Sequence, residues 1–223
     1  MGGHAVRHAI ARAGVEPAEV DDVVLGCANP EGANGFDIAR ISALAGGCPV
    51  SVSGVTVNRF CSSGLQAIAI AARTILVDNV PIVVGGGTES ISLVGPNMNV
   101  KHMVETSVRE QHPATYMAMI DTADIVAERY GVSREAQDAY ALQSQKRYGA
   151  AQEGGKLDDE IVPMTVTMSL KDRETGKTSS KEVTVDRDEC NRPGTTLEGL
   201  SGLAPVKGPD RFITAGNASQ LSD

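Results

Sequence analysis

Apolar positions in the first ninety residues switch between two periods. Val6, Ile10 and Ala13 recur at helical spacing and Gly14 follows them, which predicts an opening helix closed by a glycine. Val23-Val24-Leu25-Gly26 is a continuous apolar run and predicts a buried strand. Ile38, Ile41 and Leu44 predict a second helix that stops at Gly46-Gly47. Gly54-Val55-Thr56-Val57 reads as a β-branched strand. Leu65, Ile68, Ala69, Ala72 and Ile75 return to helical spacing, up to a turn at Asp78-Asn79, and Pro81-Ile82-Val83-Val84-Gly85 reads as a further strand. Strand, helix and strand in this order predict a βαβ unit, with a right-handed crossover and a parallel sheet. Both faces of such a sheet are covered, so its strands need no polar alternation.

The pattern changes after Ser92. Pro96, Asn97 and Asn99 mark a boundary, and six methionines follow from Met98 to Met168. Met119, Ala123, Val126, Ala127 and Tyr130 predict an amphipathic helix ending at Gly131. Another helix is predicted from Ser133, a good N-cap, to Gly154-Gly155. A strand pair is expected at Thr165–Leu170 and Glu182–Asp186, with the charged connection between them solvated. The expected organisation is a first part over residues 1–92, an inserted α+β domain over 93–212, and a return to the main sheet over 213–223.

Composition narrows the function classes. The chain has 223 residues, no Trp, three Phe and four Tyr, so its core must be built from Val, Ile, Leu, Ala and Met. A net charge of -8 argues against nucleic-acid binding, while leaving room for a local basic patch that meets a phosphorylated ligand. No apolar run is expected to approach membrane-spanning length, and the N-terminus resembles neither a signal nor a transit peptide. Cys27, Cys48, Cys61 and Cys190 show no Cys-x-x-Cys spacing and no histidine pairing, so no metal site is expected. Dispersed cysteines point to reduced thiols and a cytoplasmic location.

The chemistry concentrates at Cys61. It stands where the β-branched strand gives way to a helix, so unpaired N–H groups and the helix dipole favour a negative charge there. The thiolate is the nucleophilic form of cysteine. Ser62 and Ser63 are expected to cap the helix, and Gly64 to allow a close approach. The bland alternative is a small buried hydrophobe. Gly85-Gly86-Gly87 is not a phosphate loop, because no Lys-Ser or Lys-Thr follows; a tight turn between close backbones is expected instead.

Asn58-Arg59-Phe60-Cys61-Ser62-Ser63-Gly64-Leu65-Gln66-Ala67 resembles the nucleophile segment of the thiolase family. Further similar words are Gly86-Gly87-Thr88-Glu89-Ser90, Met119-Ile120-Asp121-Thr122-Ala123-Asp124, Asp159-Glu160-Ile161-Val162-Pro163 and Thr214-Ala215-Gly216-Asn217-Ala218-Ser219. The Met119–Asp124 word departs from the family pattern at Ile120 and Asp124. The resemblance implies the N-terminal half of a layered α-β-α-β-α fold with an inserted loop domain. It implies thiolysis of 3-ketoacyl-CoA through an acyl thioester on Cys61, with acyl-CoA and CoA as partners, no cofactor, and a homodimer or homotetramer. It places Ala215 and Ser219 at the pantetheine, Arg192 near the CoA nucleotide and Met119 at the acyl end.

The family's Gly-His-Pro, Cys-x-Gly and Asn-Glu-Ala-Phe words are not among these residues, and His4, His8, His102 and His112 match none of them. The expectation is a half of the fold, inactive alone. Two alternatives stand beside it. One is an acetoacetyl-CoA-forming thiolase or another Claisen condensing enzyme. The other is a non-catalytic half that needs a partner chain.

Overall fold

A computed structural model describes residues 1–220. These divide into two compact units, residues 1–99 and residues 100–220, and the end of the expected return over 213–223 lies outside the described residues.

In the first unit, helix α1 (Gly2–Ala13) ends at Gly14 in the left-handed conformation, φ 68°. Strand β1 (Asp22–Gly26) leads to helix α2 (Ile38–Ala45), whose N-terminus is capped by the Asp37 side chain on the Arg40 N–H. Strand β2 (Ser53–Val57), helix α3 (Ser63–Asp78), strand β3 (Val83–Gly87) and the short helix α4 (Ile91–Val94) complete it. The strands are parallel in the order β2-β1-β3. The crossover through α3 therefore steps over β1, which occupies the middle of the sheet. Val23, Val24 and Leu25 are accordingly buried, on both faces, between α1 and α2 on one side and α3 on the other.

The helices face the sheet differently from expectation. On α2 the buried residues are Ala39, Ser42 and Ala43, while Ile41 and Leu44 are exposed. On α3 they are Ser63, Ala67 and Ala71, while Leu65, Ile68, Leu76 and Val77 face outward. Close approach is the reason. A Cβ on Gly54 would lie 2.6 Å from Arg40 Cα, and one on Gly85 would lie 3.0 Å from the Ala71 methyl. Only small side chains fit between backbones at that spacing. The glycine run is thus part of strand β3, not a turn, and the strand is shifted two residues from its predicted place. The 19-residue segment Phe60–Asp78 also contains an 18-residue window of mean hydropathy 1.5, long and apolar enough by length and composition to cross a membrane. This differs from the expectation of no such run, because Gln66 and Arg73 break the apolar stretch without lowering its average below that of a spanning helix.

The second unit contains the short helix α5 (Thr106–Gln111), then α6 (Met119–Tyr130), α7 (Arg134–Glu153) and α8 (Leu197–Ser201). Gly131 closes α6 with φ 63°, and the Ser133 hydroxyl caps α7 on the Ala136 N–H, as the sequence predicts. Strands β4 (Met164–Lys171) and β5 (Thr178–Val185) pair antiparallel and run longer than predicted. Their charged connection is turned by Asp172, whose carboxylate accepts the N–H groups of Glu174 and Thr175.

Candidate active site

The sheet of the first unit delivers Cys61 to the carboxyl end of its strands. Strand β2 ends at Val57, and the chain bends through Asn58-Arg59-Phe60 before α3 begins. Phe60 takes a left-handed backbone, φ 47°, a costly conformation for an aromatic residue. Hydrogen bonds fix it from both sides. The Phe60 N–H donates to Asn58 Oδ1 at 2.9 Å, and the Ser63 hydroxyl donates to the Phe60 carbonyl at 2.5 Å. The Arg59 N–H donates to Ser63 Oγ at 2.9 Å, and Asn58 Nδ2 donates to the Ala28 carbonyl at 3.1 Å. Ser63 therefore secures the bend behind it, and Ser62, at the N-cap position, makes no side-chain cap bond. This corrects the expected capping. It leaves Cys61 exposed on a locked turn, just ahead of the first residue of α3.

Glycines bring that turn down onto the sheet. A Cβ on Gly26, the last residue of β1, would collide with the Ser63 and Gly64 backbone. A cavity of about 380 Å³ opens beside Cys61, lined by Gly26, Cys27, Ala28, Phe60, Cys61, Ser63, Gly64, Gly87, Thr88, Glu89 and Ile91. Its rim is tied together by Glu89, whose role the family word Gly86-Gly87-Thr88-Glu89-Ser90 does not by itself disclose. The Glu89 carboxylate accepts from the N–H groups of Ala28 at 2.6 Å and Asn29 at 3.2 Å, and from the buried Asn34 amide. An acceptor-only group with convergent N–H donors is a strong joint. Its signal in the sequence is a carboxylate two residues after a glycine-rich strand end.

The neighbouring thiol is different in kind. Cys27 is buried, and its Sγ donates to Glu89 Oε1 at 3.7 Å. Burial, reinforced by the Glu89 charge, pushes it up to about 11. Burial also raises the Cys48 thiol, against an opposing pull from Arg40. Cys61 is the exposed thiol of the four, while Cys190 is half-buried. None of the four histidines lines the Cys61 cavity. Among the described residues, no group of His, Cys, Asp or Glu could hold a metal ion.

The second unit has a cavity of its own, of about 420 Å³, lined by Gln145, Arg192, Gly194, Thr195, Thr196, Gly199, Leu200, Leu203, Ala215, Gly216, Ala218 and Gln220. Arg192 and Ala215 meet there. The Arg192 N–H donates to Gln145 Oε1 at 2.8 Å, and its carbonyl accepts from the Thr195 hydroxyl at 2.7 Å, so the backbone carrying the guanidinium is fixed. Ser219 is exposed, between the lining residues Ala218 and Gln220 but not itself in the wall. Met119, at the first position of α6, is 74% exposed and does not line this cavity.

Comparisons with known proteins agree with this architecture. The family model described as thiolase, N-terminal domain, matches residues 1–223. A 3-ketoacyl-CoA thiolase of Bacillus subtilis is 43% identical over 100% of this chain and 56% of its own length. A β-ketoadipyl-CoA thiolase of Pseudomonas aeruginosa is 39% identical over 94% of this chain and 54% of its own. The crystal structure of the Bacillus anthracis acetyl-CoA acetyltransferase superposes with a TM-score of 0.79 at 38% identity, over 98% of this chain and 55% of that one. The chain thus spans about half the length of the relatives it matches.

Proposed function

The chain belongs to the thiolase family, through that family's N-terminal domain, and on that premise we propose that it supplies the nucleophile-bearing half of an enzyme that transfers the acyl group of a 3-ketoacyl-CoA to CoA. The observation that carries this reading is Cys61, exposed on a hydrogen-bonded bend at the start of α3. In this reading the Cys61 thiolate attacks the 3-keto carbon. The bond between C2 and C3 then breaks, its electron pair leaving with the acetyl-CoA enolate, which takes up a proton. The acyl group remains as a thioester on Cys61. The thiol of free CoA, losing its proton to a base, attacks that thioester and restores the thiolate. The Cys61 N–H, at the helix start, suits the developing oxyanion.

Arg192, Ala215 and Ser219 are the proposed CoA contacts and Met119 the proposed acyl-end contact. CoA is a substrate here, and the reading needs no cofactor. Residues 1–92 and 213–223 form the first half of the fold in this proposal, with 93–212 inserted as the loop domain, and the complete protein is a homodimer or homotetramer. The same thioester serves condensation as well as thiolysis, so an acetoacetyl-CoA-forming direction shares every residue named. A half that works only with further chain is favoured by one specific observation: no histidine lies in the Cys61 cavity to take its proton.

The test is acylation. Residues 1–223 are coexpressed with a thiolase C-terminal half and treated with acetyl-CoA, and with limiting iodoacetamide in parallel. Mass spectrometry is expected to place both the acetyl group and the alkyl label on Cys61, with neither event in Cys61→Ala. Preferential labelling of Cys27, Cys48 or Cys190 overturns the assignment.

A further inference from the structure

One carboxylate in the second unit is joined to two walls of the Arg192 cavity without lining it. Asp138, on α7, is 1% exposed. It pairs with Arg134 one turn earlier, Nε to Oδ2 at 2.8 Å, and accepts from Asn217 Nδ2 at 3.1 Å. Arg134 reaches onward with Nη2, which donates to the Leu200 carbonyl at 2.8 Å and the Leu203 carbonyl at 3.0 Å. Those leucines form one wall. Asn217 holds the adjoining one, where a Cβ on Gly216 would lie 2.5 Å from Leu200 Cδ2 and 2.6 Å from Leu203 Cδ1. Its Oδ1 accepts the Thr214 N–H at 2.8 Å, and its Nδ2 also donates to the Phe212 carbonyl at 3.1 Å. Thr214, fully buried, accepts the Gly216 and Asn217 N–H groups on Oγ1 at 3.2 and 3.3 Å. This tight turn displays Ala215, Gly216 and Ala218 to the cavity.

We propose that Asp138, acting through Arg134 and Asn217, is a positioning residue for coenzyme binding: it holds the 214–218 turn against the leucine wall, so that the two form one fixed surface of the cavity, and does not touch the ligand. The inference rests on reading this cavity as the CoA site. A buried carboxylate with a guanidinium and an amide on it holds both in one geometry, because releasing either leaves polar groups buried without partners. A pantetheine arm gains from such a preformed surface, since it then needs no ordering when the arm binds.

Two variants separate the walls. Asn217→Ala frees the turn and leaves the Arg134 pair in place. Arg134→Lys keeps a cation on Asp138 but loses the fork to Leu200 and Leu203. CoA affinity is measured by titration calorimetry on residues 1–223 coexpressed with a thiolase C-terminal half, and hydrogen exchange is followed at the amides of residues 214–218. Each variant is expected to weaken CoA about five- to tenfold, the size of one lost hydrogen bond, and Asn217→Ala to speed exchange at Gly216 and Asn217. Faster exchange with unchanged CoA affinity overturns the positioning role and leaves a purely structural network. Should Asn217→Ala fail to fold, Arg134→Lys decides alone: unchanged affinity overturns the proposal, and weakened affinity supports it. A wild-type complex of the two halves that takes no CoA refutes the reading of the cavity itself, before any variant is made.

Discussion

The Glu89 carboxylate accepts the backbone N–H of Ala28 at 2.6 Å and so fastens the end of β3 to the end of β1, beside the cavity that contains Cys61. Replacing Glu89 by Gln turns one arm of this joint from acceptor to donor. It then faces either the Ala28 and Asn29 N–H groups or the Asn34 amide. Glu89→Gln is expected to destabilise the fold by about 1–3 kcal/mol, read from urea unfolding midpoints. An unchanged midpoint would mean that the joint contributes nothing.

Stability should fall at alkaline pH because of Cys27. Its thiol keeps its proton in the folded chain up to about 11, against an ordinary value of 9.0. Between those limits the unfolded chain binds fewer protons than the folded one, so unfolding gains as pH rises. The contribution is intact below pH 9 and is lost progressively toward pH 11. Cys48, raised in the same direction by burial, adds to it. Unfolding midpoints of wild type and Cys27→Ala, compared from pH 8 upward, should converge as pH rises. Parallel curves would contradict the assignment.

Phe60 supplies a backbone test. Its left-handed φ suits glycine and opposes β-branched residues. Phe60→Val is expected to cost about 1–2 kcal/mol more than Phe60→Gly, although the side chain is exposed. Chemical denaturation of both variants measures the difference, and equal costs would show that the bend is relaxed.

Arg192→Ala should weaken CoA by about tenfold without moving the rate at which iodoacetamide labels Cys61. A variant that binds CoA normally removes Arg192 from the site.

The elements were legible in the sequence wherever one local signal dominated. Gly14 and Gly131 closed their helices and Ser133 opened the next, because caps act within a few residues. The strand-to-helix passage at Cys61 was legible for the same reason. Orientation was not. Large apolar residues located α2 and α3 but named their outward sides, since contact with the sheet selects alanine, serine and glycine there. The roles of Glu89 and Asp138 were hidden too. Their partners lie across the fold, at Ala28 and Asn34 for one and at Asn217 for the other, and no local pattern encodes such pairs.

The closeness of α3 to the sheet reverses the usual sense of mutational tolerance. At Gly26, Gly85, Ala67 and Ala71 the constraint is a ceiling on side-chain volume, not a floor on hydrophobicity. A saturation screen of this chain would find conservative enlargements such as Gly26→Ala and Ala71→Val among its most damaging changes. Radical ones at the outward Leu76 and Val77 would pass with little effect on the folding of this unit. A fitness map ranked by hydrophobicity would therefore invert along this helix, and one ranked by added volume would not.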